Sequence, residues 1–489
     1  MVLAVFVAGG AAPLRAREWR VLRNPQFTLY SDATDGTMHD VATDLRDALD
    51  VLAKVLVVDP AARQPLTVVL FDWQSELDPY LPEVAPGKSI DDVSQEEFTW
   101  TPAFSCAGPD WFVIAAAAQD YERGTRRGIT ESAVGWYLNT WDYPLPLAVS
   151  TGLTRTLGTF RRQSTHGDLG QAPRGLREIL THWQLIPVRQ LLGLRNMSTI
   201  IQAQERVTFT AESWGLVHFL MFAPEPSRRH AMAQFLAAFR KHETPDQALV
   251  AALGPEGAAR IDVSLNAYLQ SAFEVVRLPL PPDVEDSEPI AAAPRLELEV
   301  ALAKSAMAGR ATAAPSHIAA ALAAAPTQPA GYEIEAQYAA DEGKPDDDVR
   351  ALVDEAIAHG SRDSWVLWKS AGYHLADAGD GAAPPAQVRA AIRLAERAAN
   401  ADHNFRPAFD FIALHLWQCP PIPSDGAFLA FARARYPSDR WILVGQAAIA
   451  RAHGDPNGAA QLLAQAQSSD PVLSPSQLPG VLAFARLRQ

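Results

Sequence analysis

The chain has 489 residues, 48% hydrophobic and 20% charged, a balance typical of folded rather than disordered protein. Lys and Arg number 42 against 56 Asp and Glu, so the net charge is 42 − 56 = −14, which argues against nucleic acid or an anionic membrane surface as the main partner. Two distant cysteines, Cys106 and Cys419, exclude a disulfide framework and a cysteine zinc cluster.

At the start, Val2 to Ala12 is an apolar run as long as a signal-peptide core and too short to cross a bilayer. Residues 1–16 therefore read as a possible signal peptide, with Gly9, Gly10 and Ala11 near the cleavage site. The protein is then exported, to the periplasm or cell envelope. The alternatives are a buried N-terminal strand and a cytoplasmic protein. No other run reaches the roughly 18 apolar residues of a membrane helix.

Residues 17–277 read as one mixed domain. Trp19 to Ser31 has strand-like spacing, and Val41, Leu45, Leu49, Leu52 and Leu56 mark one face of a helix. Leu66 to Phe71 is a short apolar strand of the fully buried kind. Two further strands flank the turn Ala107-Gly108-Pro109-Asp110. From Arg123 the pattern turns helical, with helices expected over Thr130–Thr140, 151–160, 176–183, 213–222, 230–241 and 255–273.

Residues 278–295 carry five prolines and four acids, and are expected to be an extended, solvated linker that does not pack. Beyond it, residues 296–475 are Ala-rich and helical. Tyr332, Trp365, Phe409 and Trp441 anchor successive units 33, 44 and 32 positions apart, close to the 34-residue period of tetratricopeptide helix pairs. Such pairs bury their apolar faces only by stacking, so a short solenoid is expected, with a plain helical bundle as the alternative.

The segment Ile129-TESAVGWYLNTWDYPLPLAVSTGLTRTLGT-Phe160 resembles the peptidase-MA-like family of bacterial gluzincin relatives. In that family a helix bears H-E-x-x-H, and a second helix about twenty residues on carries P-x-W-L-x-E-G-L-A-E-Y. Here Pro146, Gly152 and Leu153 match the second pattern, while Ala148 replaces its Trp and its A-E-Y end is missing. Ala211 to Leu220 and the strand from Trp19 resemble other family segments, so the likeness spans about residues 18–275. It implies an α+β metallopeptidase-like N-terminal domain, with a mixed sheet and a helical subdomain. An all-α tetratricopeptide-like solenoid follows it.

The departures from the pattern bear on activity. Zinc catalysis of this type needs two His at i and i+4, a Glu beside the first as general base, and a third, carboxylate ligand. The resemblance puts Thr130 and Val134 at the two His positions, Thr151 at the third ligand and Glu131 at the base. Threonine and valine lack the imidazole and carboxylate donors, so no metal and no other cofactor is expected. Glu131 then reads as a partly buried helix carboxylate bonded to a neighbour. The 12 histidines include no pair at i, i+3 or i, i+4, and His242-ETPD is broken by Pro245. His166 reads as a loop histidine, His182 and His218 as core or edge histidines, and Cys106 as a small buried hydrophobe. Asp346 to Asp348 suit a helix N-terminus. The expected role is a catalytically inactive module binding a protein or peptide, through its vestigial cleft, its helical repeats or both. A hydrolase with a non-standard site and a scaffold acting through its repeats alone are the alternatives.

Overall fold

The computed structural model describes residues 18–56, 64–81, 103–119, 121–139, 145–163, 165–173, 176–195, 203–223, 230–241, 243–271, 273–280, 288–377, 383–437 and 439–468. The expected signal peptide and His242 lie outside these residues.

The front half begins with β1 (Arg20–Asn24), β2 (Phe27–Ser31), α1 (Asp35–Leu56), β3 (Leu66–Phe71) and α2 (Gln74–Leu77). The hairpin β4 (Ala103–Ala107) and β5 (Phe112–Ala117) follows. Next come α3 (Arg126–Asn139) and α4 (Leu147–Leu157), then β6 (Arg161–Arg162) and β7 (His166–Leu169). The helical part continues with α5 (Leu176–His182), α6 (Val188–Gly193), α7 (Ala203–Phe222), α8 (Ala231–Arg240), α9 (Pro245–Ala259) and α10 (Ile261–Leu269). Trp19 to Ser31 is a hairpin rather than one strand. Its turn is held where the Asn24 side chain accepts from the Gln26 backbone N–H at 2.9 Å, an Asn-Pro turn signal. The helix expected over 255–273 is two helices, and Gly254, at φ 72°, breaks the chain just before Pro255 restarts it.

The strands β4-β5-β3-β2-β1-β9 form a six-stranded mixed sheet, in which β9 is Ile290–Ala292. β2, β3 and β5 run parallel, while β1 pairs antiparallel with both β2 and β9, and β4 with β5. Successive side chains of a strand point to opposite faces, and both faces here are apolar. On one face Leu22, Leu29, Val68, Leu70 and Ile114 pack with Met38, Leu45 and Leu49 of α1 and with α3, α4 and α7. On the other, Val21, Tyr30, Val69, Phe71 and Val113 pack with Leu298, Ala301 and Leu302 of the next helix, α11 (Arg295–Ala308).

That second face corrects the expected linker. Val276–Pro279 forms β8, which pairs with β7 in a small second sheet, and Ile290–Ala292 pairs with β1. The helical region is thus packed on the sheet from its first helix. Gly309 sits so close to the Tyr80 carbonyl that a Cβ there would lie 1.8 Å from its oxygen. The chain continues through α12 (Ala314–Ala324), α13 (Pro329–Asp341), α14 (Asp346–Ala358), α15 (Ser364–Ala376) and α16 (Pro385–Ala401). It ends in α17 (Arg406–His415), α18 (Pro423–Arg435), α19 (Arg440–Ala452) and α20 (Pro456–Ser468), each helix packing on its neighbours. Gly343, Gly360 and Gly454 follow helix ends at φ 66°, 85° and 80°, the left-handed conformation that closes a helix. Trp365 and Phe409 are buried, and Trp441 is half-buried under Arg440.

Two measurements check this packing. A chain ending at Leu280 would lack β9 and α11 and leave one face of the sheet in water. It is expected to bind an apolar dye or aggregate, and a cooperative, monomeric fold of that fragment would contradict the shared core. Trp365→Ala is expected to cost about 3–5 kcal/mol in urea unfolding, the scale for a buried large aromatic.

Candidate functional site

Helices α3 and α4 pack together, and the residues singled out in sequence lie on them. Glu131 is held between two arginines: Arg127 Nε donates to one carboxylate oxygen at 2.8 Å and Arg155 Nη1 to the other at 2.7 Å. It is 7% exposed, and Gly158 leaves the room it needs, since a Cβ there would lie 2.2 Å from Glu131 Cγ. Glu131, Gly135 and Leu138 on α3 face Thr151, Thr154 and Arg155 on α4 across an open cavity of about 430 Å³.

Thr130 and Val134 are not among the residues lining this cavity. The Thr130 hydroxyl bonds back to the Arg126 carbonyl at 3.0 Å, and Val134 is fully buried in the main core. The expected grouping of Thr130, Glu131, Val134 and Thr151 in one cleft is therefore corrected: Glu131 and Thr151 share the cavity, and the other two face inward. Residues four apart share a helix face, while neighbours differ by about 100°, so an apolar Val134 carries Thr130 towards the core and leaves Glu131 outward. This donor set does not fit zinc. It offers two hydroxyls, an isopropyl group and a carboxylate already paired with two guanidinium groups.

The other titratable groups have local roles. His218 is buried and pushed down to about 4 by desolvation, hence neutral. Its Nε2–H donates to the Gly170 carbonyl at 2.9 Å and Nδ1 accepts from the Tyr268 hydroxyl at 2.6 Å. His166, on β7, pairs with Asp168 at 3.3 Å, and His182 meets the Glu178 carbonyl at 3.1 Å. Asp346 to Asp348 occupy the first turn of α14. Among the described residues, no group of three or more His, Cys, Asp or Glu could hold a metal ion, and no helix is long and apolar enough to cross a membrane.

A second cavity, of about 370 Å³, lies where the front sheet meets the helices. Cys106 and Trp111 of the β4–β5 hairpin line it, together with Gln337 on α13 and Trp365, Trp368 and Lys369 on α15. The Lys369 ammonium lies 5.6 Å from both the Trp365 and Trp368 rings. Trp111 Nε1 donates to Gln337 Oε1 at 2.8 Å, and Gln337 Nε2 to Asp110 at 3.2 Å, which fixes the hairpin against the helix. Burial pushes the Cys106 thiol up. The repeat spacing marks Trp365 as a packing anchor, and Cys106 reads as a small buried hydrophobe. Nothing in the spacing signals that residues 106–111 and 365–369 meet.

Beside this cavity Asp110, Glu333, Asp363 and Asp402 come together. Burial, then Asp110, raises the Asp363 carboxyl well above the ordinary aspartate range, and burial also raises Glu333 and Asp402.

No family model, no curated protein and no solved structure matches this chain.

Replacing Glu131 with Ala leaves two arginines without their shared partner. It is expected to cost about 3–5 kcal/mol, the scale for breaking a buried ion pair from one side, in urea unfolding at neutral pH. A negligible loss would show that the pairing is incidental. For Asp363, a carboxyl raised in the fold is neutral at low pH and opposes the fold as pH climbs through its raised value. The urea midpoint of the parent chain is therefore expected to fall as pH climbs from the ordinary aspartate range towards that raised value. Asp363→Asn keeps the acceptor that caps Val366 N–H, and is expected to flatten that fall.

Proposed function

We propose that this chain is a catalytically inactive, metallopeptidase-like protein that binds a peptide or protein partner through its front domain and helical region together. In this reading the front domain belongs to the peptidase-MA-like type, and the helices beyond α12 are tetratricopeptide-like pairs stacked as a short solenoid. The cell envelope is the place of action, on the strength of the apolar run Val2 to Ala12.

The observation that carries the binding role is the tryptophan-lined cavity at the seam. Binding sites combine apolar and aromatic walls with a few polar groups that fix orientation. Here Trp111, Trp365 and Trp368 supply the walls, and Gln337, Asp341 and Lys369 the polar groups. An aromatic or branched aliphatic side chain of a peptide suits those walls, with its backbone near Lys369 and Asp341. Because the hairpin supplies part of the lining, a scaffold acting through the helices alone is the weaker reading. Absence of catalysis is supported by the pairing of Glu131 with Arg127 and Arg155, which leaves no carboxylate poised beside a metal-bound water.

The experiment is peptide selection followed by mutation. A displayed random-peptide library should enrich sequences with one large apolar anchor, and their binding should alter tryptophan fluorescence. Trp368→Ala and Lys369→Glu are each expected to weaken the selected peptides about tenfold or more. Peptides that bind both variants as well as the parent would refute the site. Stoichiometric zinc by plasma mass spectrometry, with chelator-sensitive cleavage of casein by the parent chain, would refute the inactive reading and restore the hydrolase.

A further inference from the structure

Asp110, in the turn of the β4–β5 hairpin, joins the front sheet to the helical region through hydrogen bonds. Gln337 Nε2 on α13 donates to its Oδ1 at 3.2 Å, and the Ser364 hydroxyl at the start of α15 lies 3.5 Å from its Oδ2. The neighbour of Ser364 is Asp363, which caps α15 by accepting from Val366 N–H at 2.9 Å, and whose carboxyl is hydrogen-bonded to that of Asp110. An ionised carboxylate only accepts, so two of them cannot bond to each other. One of the pair therefore carries a proton, and hairpin and helix meet through it.

The surroundings favour that proton. Glu333 on α13 brings a third carboxyl towards Asp363; it accepts from the Ser361 hydroxyl at 2.6 Å, and Ser361 Oγ accepts from Asp363 N–H at 3.1 Å. Asp402, just beyond α16, brings a fourth towards Asp110 and accepts from Asn404 N–H at 2.8 Å. The cations lie to the side. Lys304 on α11 offsets Glu333 and sits 5.5 Å from the Trp111 ring, His403 offsets Asp402, and Lys369 lies over Trp365 and Trp368. Arg362 is exposed. Asp363 itself is faced by Asp110 and Glu333 and, among the described residues, by no cation.

The hairpin is also a wall of the tryptophan-lined cavity, through Cys106 to Pro109 and Trp111. We infer that the Asp110–Asp363 carboxyl pair is a proton-operated latch, which holds the hairpin on α15 and shapes the cavity while it keeps its proton, and frees the hairpin when the proton leaves to water. Loss of the proton sets two like charges in contact where burial leaves them little screened. Burial and Asp110 both raise the Asp363 carboxyl, so the latch is closed at low pH and opens as pH climbs through the raised value. A cavity with one wall displaced holds its occupant less well, so peptide affinity falls over the same range. That last step rests on the cavity being the peptide site; the latch does not.

Hydroxyl-radical labelling of the full chain without peptide, in steps from about pH 4 to about pH 9, tests the latch. Trp111, buried while the hairpin is docked, is expected to be protected at the acid end and labelled as pH rises, while Trp214 in the main core stays protected throughout. Asp363→Asn and Asp110→Asn each replace the shared proton with an amide donor, and each is expected to keep Trp111 protected across the series; the second decides the matter if the first fails to fold. Asp347→Asn, at an exposed acid of α14, is expected to leave the profile of the parent unaltered. The tightest peptide from the displayed library is titrated at the same steps, and its affinity is expected to fall about tenfold or more in the parent and to stay level in Asp363→Asn and Asp110→Asn. Constant Trp111 labelling in the parent, Trp111 and Trp214 labelled together, or both Asn variants labelled like the parent would overturn the latch. Trp111 labelling that rises while peptide affinity stays level would overturn its control of the cavity. A library without binders would overturn the peptide site alone, since the labelling still decides the latch.

Discussion

The structure depends on a sheet that has no polar face. Val68 and Leu70 point one way from β3 and Val69 and Phe71 the other, and all four are buried. A strand of this kind cannot be stable with helices on one side only, because the second face would leave a contiguous apolar patch in water. Helices α1, α3, α4 and α7 cover the first face, and α11 the second. Since α11 lies beyond the proline-rich stretch, that stretch must bring the chain back across the sheet. β9 does so by pairing with β1 at its edge.

This arrangement makes the seam between the halves a place of specific polar contacts as well as apolar ones. The Tyr80 hydroxyl meets His317 Nε2 at 2.7 Å, and His317 Nδ1 meets the buried Glu299 at 2.7 Å. On the hairpin side Trp111, Gln337 and Asp110 form a second hydrogen-bonded link. Buried polar groups favour one docking geometry because a shifted one leaves them unpaired. The tryptophan-lined cavity borders the second of these links, since Trp111 and Gln337 line it. Its walls are therefore set by the docking itself, not by either half alone.

The arginine pairing of Glu131 follows from the same economy of faces. Once Val134 turns one side of α3 into the core, Glu131 is left at the helix–helix contact, where desolvation demands a counter-charge. Arg127 comes from the same helix at i−4 and Arg155 from α4. The result ties the two helices together.

Much of the local structure was legible in the residues. The period of Val41, Leu45 and Leu49, the all-apolar run of β3, the Gly-Pro turn between β4 and β5 and the helices after Arg295 are short-range patterns, and local sterics and burial enforce them. Composition also bounded the charge and the cysteine chemistry. The tertiary structure decided what no spacing encodes. It placed β9 on the edge of the front sheet, turned Thr130 and Val134 to the core, and brought Trp111 to Trp365 across more than half the chain. Proline and acidic residues at 278–295 state how that segment avoids helix, but say nothing of a three-residue strand completing a distant sheet. Such contacts depend on which apolar faces remain uncovered once the rest has packed, and that is a property of the assembled chain, not of any segment within it.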